Sequence, residues 1–306
     1  MTNDRKAVID VGTNSIKFHV AGQRPDGSLE TVLDENDIAR LGEGLRETGK
    51  ISPEPLERNA RSVENFVKKA RAMGVGTPVI LGTMALRTAA NAPEFLSRVK
   101  ELTGLDVRII PGEEEARLSW LAVLSGLPRV SGELVTFDTG GGSTEFVFGR
   151  GDEIDRRFSI PLGAVRITEE FFADDPVKPG SVEKARQEIR RSLEEGGLKG
   201  SPSVLVGMGG TVTSLAAVKH EMVTYDPDVV QGSVLTAEDL RGMADRFASR
   251  TLEDRRAIPG LQPKRADVIL AGTCIVQEIL EILGLSSFTV SDRGLRHGLA
   301  YELFSR

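Results

Sequence analysis

The chain carries one short pattern twice: an apolar run ending in aspartate, a glycine turn rich in hydroxyls, then a second apolar run. The first copy reads Ala7-Val-Ile-Asp10-Val-Gly12-Thr13-Asn14-Ser15. The second reads Leu134-Val-Thr-Phe-Asp138-Thr-Gly140-Gly141-Gly142-Ser143-Thr144-Glu145, and its aspartate stands 128 positions after the first. Glycine accepts the φ > 0 turns that let successive backbone N–H groups converge on an anion. An aspartate at the mouth of such a turn either caps it or holds a hard cation, so that phosphate and metal share one site. One such turn constrains little. A matched pair, one near the start of each half, predicts a duplicated architecture that handles phosphate.

With 306 residues there is room for two domains, each with its own core. A hydrophobic content of 40% and a charged content of 27% fit a soluble globular protein. No stretch approaches the ~20 apolar residues of a membrane span. The start, Met1 to Lys6, leads into a strand without the apolar segment of a secretory signal. The single cysteine, Cys274, rules out an intrachain disulfide and fits a reducing, cytoplasmic location. It lies in the apolar run Val268 to Leu283 and reads as core packing. Three histidines and one cysteine disfavour a zinc site. A net charge of −6 argues against nucleic-acid partners, so a polyanionic substrate needs a local basic lining.

Strand signals at 7–10 and 16–20 form a hairpin, and the turn Arg24-Pro25-Asp26-Gly27-Ser28 leads to a third strand over 29–33. Ser52-Pro53 opens a helix whose apolar positions Leu56, Ala60, Val63, Phe66, Val67 and Ala70 fall at helical spacing. Strands follow at 78–81 and 107–110, with a helix over 92–102 between them and another over 113–125. Gly126-Leu127-Pro128 breaks the chain, and the grammar restarts with strands at 134–138, 144–148 and 154–160. Helices over 181–195 and 268–283, a strand at 203–207, a helix capped by Thr236, a strand at 288–291 and a closing helix over 295–304 complete it. This gives an α/β protein with domains at 1–125 and 126–306. The long apolar helices 266–283 and 295–304 suit either a homodimer or core packing.

A third glycine turn, Gly207-Met-Gly209-Gly210-Thr211, joins a buried strand to a helix, whose N-terminus suits phosphate. It lacks the Gly-Lys-Ser/Thr ending of a P-loop and the Gly-x-Gly-x-x-Gly of dinucleotide folds. Glu145 opens a strand and either faces the phosphate site or is solvated. Glu113-Glu114-Glu115 occupy a first helical turn, where acidic residues meet the helix dipole. Glu115 precedes the apolar face and is a candidate general base for an attacking water. Arg87 is a candidate phosphate fork. Lys17, Arg166, Lys219, Arg293 and Arg296 are lesser candidates. His297 reads as a helix-surface residue, and Trp120 as core.

Taken in order, these segments resemble the exopolyphosphatase / guanosine pentaphosphate phosphohydrolase (Ppx/GppA) family. The resemblance rests on Asp10-Val-Gly-Thr-Asn-Ser15, Gly82-Thr-Met-Ala-Leu-Arg87, Pro111-Gly-Glu-Glu-Glu115-Ala-Arg-Leu118, Phe137-Asp-Thr-Gly-Gly-Gly-Ser-Thr-Glu145, Gly207-Met-Gly-Gly-Thr211 and Ser291-Asp-Arg-Gly-Leu-Arg-His-Gly298. The glycine loops alone also occur in actin-like ATPases and sugar kinases; the Glu-Glu-Ala-Arg-Leu start is more specific. The resemblance implies two actin-like (ribonuclease H-like) domains with the active site in the cleft between them. It also implies Mg²⁺-dependent hydrolysis of a terminal phosphoanhydride, with Mn²⁺ as a substitute and K⁺ as an accessory ion.

By resemblance, Glu115 is the catalytic glutamate and Arg87 the cleft arginine. Asp138 and Glu145 are the metal-associated carboxylates, and Asp10 is added to them as a metal candidate by its place at the first glycine turn rather than by the resemblance. Gly12, Thr13, Asn14, Ser15, Gly140, Gly141, Gly142, Ser143, Thr144, Gly209, Gly210 and Thr211 bind phosphate. Substrates would be polyphosphate or guanosine polyphosphates, with no membrane partner. Ile16-Lys17-Phe18-His19 departs from the Phe-His pair of many relatives. The chain ends at Arg306 without the C-terminal helical domains of longer relatives, so lower processivity or shorter substrates are expected. A kinase on the same fold and a non-catalytic guanosine-polyphosphate sensor are the rival readings.

Overall fold

The apolar runs around each glycine turn become strands of two mixed sheets. A computed structural model of the chain describes residues 5–25, 27–127, 131–151 and 153–305. It divides into two units, Met1–Ser125 with Leu295–Arg306, and Gly126–Gly294.

In the first unit, β1 (Arg5–Val11), β2 (Ile16–Gln23) and β3 (Leu29–Asp37) form an antiparallel meander. β4 (Val79–Gly82) and β5 (Val107–Ile109) extend it parallel to β1, in the order β3-β2-β1-β4-β5. β1 is central and buried, which is why its sequence is continuously apolar between Ala7 and Ile9. The Arg24–Ser28 turn is closed by the Arg24 N–H donating to the Ser28 carbonyl at 2.8 Å, with Asp26 outside the described residues. The helix Pro53–Ala72 enters on prolines rather than on a Ser52 side-chain cap, and buries Ala60, Val63, Phe66, Val67 and Ala70. Phe66 stacks on Phe18 of β2 at 5.1 Å.

The second unit repeats the plan. β6 (Leu134–Thr139), β7 (Thr144–Arg150) and β8 (Glu153–Ile160) are the meander, with β9 (Val204–Met208) and β11 (Ser287–Val290) parallel to β6. β10 (Val234–Thr236) pairs antiparallel with β11, giving the order β10-β11-β9-β6-β7-β8. It is three residues long and merges into the Thr236–Asp239 capping box, so its sequence shows the cap and hides the strand. The break after Gly126-Leu127 falls where the units divide; Pro128 lies outside the described residues.

The helix Ile269–Ile282 packs against the helices Ala164–Phe171, Ser181–Glu195, Gly209–Lys219 and Ala237–Ala248. It is therefore buried on nearly every side, and the length that suggested a dimer face serves the core. Cys274 is fully buried there, and burial pushes its thiol up to about 12, as expected of an inert core cysteine.

Chain order places the closing helix at the end of the second half, but Leu295–Ser305 packs with the first unit. Leu295, Leu299 and Ala300 join Val8, Ala21, Leu81, Ile110 and Leu118 in one apolar cluster. The closeness depends on Gly298, where a Cβ would stand 1.8 Å from the Leu118 carbonyl oxygen. Gly298→Ala is therefore expected to lower stability by roughly 1–3 kcal/mol. A urea midpoint equal to wild type would show that the helix is not seated this way.

Candidate active site

In the first unit the carboxyl ends of β1, β4 and β5 share one edge, because Val11 pairs with Gly82 and Gly82 with Ile109. In open α/β sheets this edge is where ligands bind. Past β1, the turn Gly12–Ser15 is closed by the Gly12 N–H donating to the Ser15 carbonyl at 3.0 Å. The carbonyls of Thr13 and Asn14 accept from the N–H groups of Gly42 (2.9 Å) and Arg40 (3.0 Å), which hold the loop in shape. Past β4, Thr83 and the short helix Met84–Thr88 carry Arg87. Past β5, Glu115 lies in the first turn of the helix Gly112–Leu124.

These last two meet. Arg87 Nη1 donates to Glu115 Oε2 at 2.7 Å and to the Ile110 carbonyl at 2.9 Å. Both side chains are mostly buried, at 20% and 14% exposure, so this is a charge-assisted bond in a partly desolvated place. Glu114 instead pairs with Arg108 at 2.9 Å, which separates a structural glutamate from Glu115.

The second unit closes its turn with the same bond and anchors it through different carbonyls. Gly140 N–H donates to the Ser143 carbonyl at 2.9 Å, and the N–H groups of Ala164 (3.0 Å) and Val165 (2.9 Å) hold the Gly140 and Gly141 carbonyls. The Thr144 hydroxyl is spent on the Leu162 carbonyl at 2.7 Å. The two copies differ in what faces the aspartate. Asp10 pairs in register with Lys17, whose ammonium stands 3.9 Å from its carboxylate. Asp138 pairs in register with Glu145. Directly paired residues point to the same face of a sheet, so Asp138 and Glu145 present two carboxylates side by side.

Glu145 is 3% exposed, which rules out the solvated reading; it accepts from the Ser159 hydroxyl at 2.7 Å. Two carboxylates in such a place repel each other, and a divalent cation with oxygen preference relieves that repulsion. The donor set therefore fits Mg²⁺ at Asp138 and Glu145. Asp10, beside an ammonium, fits it less well.

Past β9 the helix Gly209–Lys219 begins against Asp138. Gly209 has φ 87°, and a Cβ there would stand 2.0 Å from Asp138 Oδ1, so only glycine lets the helix start so close. Arg265 presses on the next residue: a Cβ at Gly210 would stand 2.3 Å from both of its terminal nitrogens. Burial pushes this guanidinium down, opposed by Tyr225, Asp138 and Asp267. A buried arginine over a phosphate-type loop is a further candidate for the site. It sits in the turn Pro263–Arg265, and no local motif marks it.

Three of the lesser cations, Arg166, Lys219 and Arg296, have structural duties. Arg166 donates to the Pro161 carbonyl (2.7 Å) and to Glu188 (3.2 Å), and Lys219 to the Val234 carbonyl (2.9 Å) and Asp239 (2.7 Å). Arg296 forks Asp34. Burial pushes the Arg293 guanidinium down. His297 is buried rather than on a helix surface, because the closing helix turns that face onto β2 and β3. Trp120 is core, as its sequence context indicates. Among the described residues, no helix is long and apolar enough to cross a membrane.

Two meander-plus-crossover sheets, each with an aspartate and glycine turn at the edge of its central strand, define a two-domain actin-like fold. The chain belongs to the Ppx/GppA phosphatase family, whose model matches residues 19–306. It is 32% identical to exopolyphosphatase 2 of Mycobacterium tuberculosis, over 99% of each chain. It is 29% identical to the guanosine-5'-triphosphate,3'-diphosphate pyrophosphatase of Photobacterium profundum, over 98% of this chain and 59% of that one. The crystal structure of the Aquifex aeolicus Ppx/GppA family member matches with a TM-score of 0.83 and 36% identity, over 98% of each chain.

Proposed function

We propose that the protein is an exopolyphosphatase, a Mg²⁺-dependent hydrolase that removes the terminal phosphate of inorganic polyphosphate as orthophosphate. The observation that carries this reading is the Arg87–Glu115 pair, which sets an anion-binding group against a base at a ligand-binding sheet edge. Backbone N–H groups of the loops Gly12–Ser15, Gly140–Thr144 and Gly209–Thr211, other than those of Gly12 and Gly140 that close their turns, receive the phosphates, with Arg265 adding charge at the last of these loops. Mg²⁺ held by Asp138 and Glu145 would offset the charge of the phosphate chain.

A terminal phosphate competes with Glu115 for the Arg87 guanidinium. As Arg87 turns to the phosphate, the Glu115 carboxylate is released to accept a proton from water. The water oxygen then bonds to the terminal phosphorus in line with the bridging oxygen. The bridging P–O bond breaks, its electrons stay with the shortened chain, and the water proton rests on Glu115. Arg87 thus both stores the base and meets the charge on the transferring phosphoryl group. Arg87→Met is expected to lower the rate of phosphate release about 10²–10³-fold. A rate within threefold of wild type, on the order of RT per group, would remove Arg87 from the mechanism.

A second reading is hydrolysis of the 5'-terminal phosphate of pppGpp, favoured by the name of the Photobacterium relative. Both substrates end in the same anhydride. A cytoplasmic location, Mn²⁺ as a substitute metal, accessory K⁺, a homodimer and the lack of nucleic-acid or membrane partners belong to the same proposal. Release of orthophosphate from polyphosphate that stops on chelation tests it.

A further inference from the structure

The first unit holds a second cluster of metal-type ligands that the hydrolytic reading leaves unused. His19 on β2 and Asp34 on β3 are directly paired across the strands, so they share a face. The closing helix sets His297 on that face: its Nε2 stands 3.2 Å from Asp34 Oδ2, and His19 Nδ1 stands 4.0 Å from the same oxygen. The two imidazoles lie 4.3 Å apart at 48°. One donor atom from each of the three residues lies within 4.8 Å of the others. His19 is 2% and His297 9% exposed.

Arg296 bears on what such a trio can take. Its guanidinium forks Asp34, Nε to Oδ1 and Nη2 to Oδ2, each at 2.7 Å. Burial would raise the Asp34 carboxyl, but Arg296 and then His297 outweigh it and hold the group well below the usual carboxylate range. The Arg296 fork already balances the carboxylate in charge. Hard cations, which depend on anionic oxygen, gain little at a balanced carboxylate. Two imidazole nitrogens with one carboxylate oxygen suit the borderline ions instead.

We propose that His19, Asp34 and His297 bind one divalent cation of the zinc, cobalt or nickel type, which ties β2 and β3 to the closing helix. Donors around tetrahedral zinc stand about 3.3 Å apart, so the trio must close inward from its present span, chiefly by a turn of the His19 ring. Arg296 lowers the affinity through its charge and shifts selectivity away from Mg²⁺. The three-histidine composition had spoken against zinc; the fold gathers two of the three histidines in one place.

The test is titration of the full-length protein with Co²⁺, followed by its d–d absorption and by thermal unfolding. The Asp138→Asn/Glu145→Gln double variant, which lacks the carboxylate pair, should take one equivalent in a low-symmetry site and melt several degrees higher, and wild type should show the same band. His297→Gln and His19→Gln should lose both signals. Absence of the band in wild type, its survival in His297→Gln, or its loss in the double variant would each overturn the proposal, the last by assigning the ion to the carboxylate pair. Zinc-edge X-ray absorption on wild type needs no variant to fold, and a first shell without imidazole would also overturn it.

Discussion

Replacing Glu115 with glutamine is expected to slow phosphate release from polyphosphate about 10²–10⁴-fold, the usual worth of a general base. Glutamine keeps the length of the side chain and can still accept from Arg87, so helix Gly112–Leu124 and its packing should survive. What is lost is basicity and the charge that holds Arg87 at 2.7 Å. The two losses act on different quantities. Without the carboxylate, Arg87 is freer to bind phosphate, so KM should fall while kcat collapses. Equal losses in kcat and kcat/KM would instead mean that Glu115 acts only on the transition state, and unchanged turnover would remove it from the chemistry.

The Asp138→Asn variant is expected to lose a comparable factor, roughly 10²–10³-fold at the Mg²⁺ level that saturates wild type, since a metal supplies several kcal/mol of charge stabilisation. Part of the loss should return as Mg²⁺ is raised, because Glu145 is still present. The informative control is Asp10→Asn. Asp10 and Asp138 occupy equivalent places in the two hairpins, but Lys17 faces one and Glu145 the other. If the facing residue decides which aspartate handles the metal, Asp10→Asn should change the Mg²⁺ midpoint far less than Asp138→Asn. Equal shifts in the two variants would contradict that division of labour.

The features legible in the sequence were those whose cause is local. Both aspartate-glycine turns, the capping box at Thr236 and the placing of Glu115 in a first helical turn follow from neighbours within a few positions. Cys274 and Trp120 could be assigned to the core from apolar context alone. Three features were not legible, each because a distant segment decides it. The closing helix joins the first unit because Gly298 permits contact with Leu118, some 180 positions earlier in the chain. His297 is buried by that same docking. Arg265 reaches the Gly209–Thr211 loop from a short turn that carries no signature, and only the fold brings it there. The opposition of Asp138 and Glu145 was half visible: both residues stood out, but the pairing that gives them meaning is a matter of strand register.

The most direct test of the account is the initial rate of orthophosphate release by the wild-type chain from long-chain polyphosphate, pppGpp and ATP, with Mg²⁺ and after chelation. The account predicts release from polyphosphate that stops on chelation and exceeds release from ATP. Faster release from pppGpp would keep the hydrolase and change its substrate. No release from any of the three, with guanosine polyphosphate still bound, would contradict it.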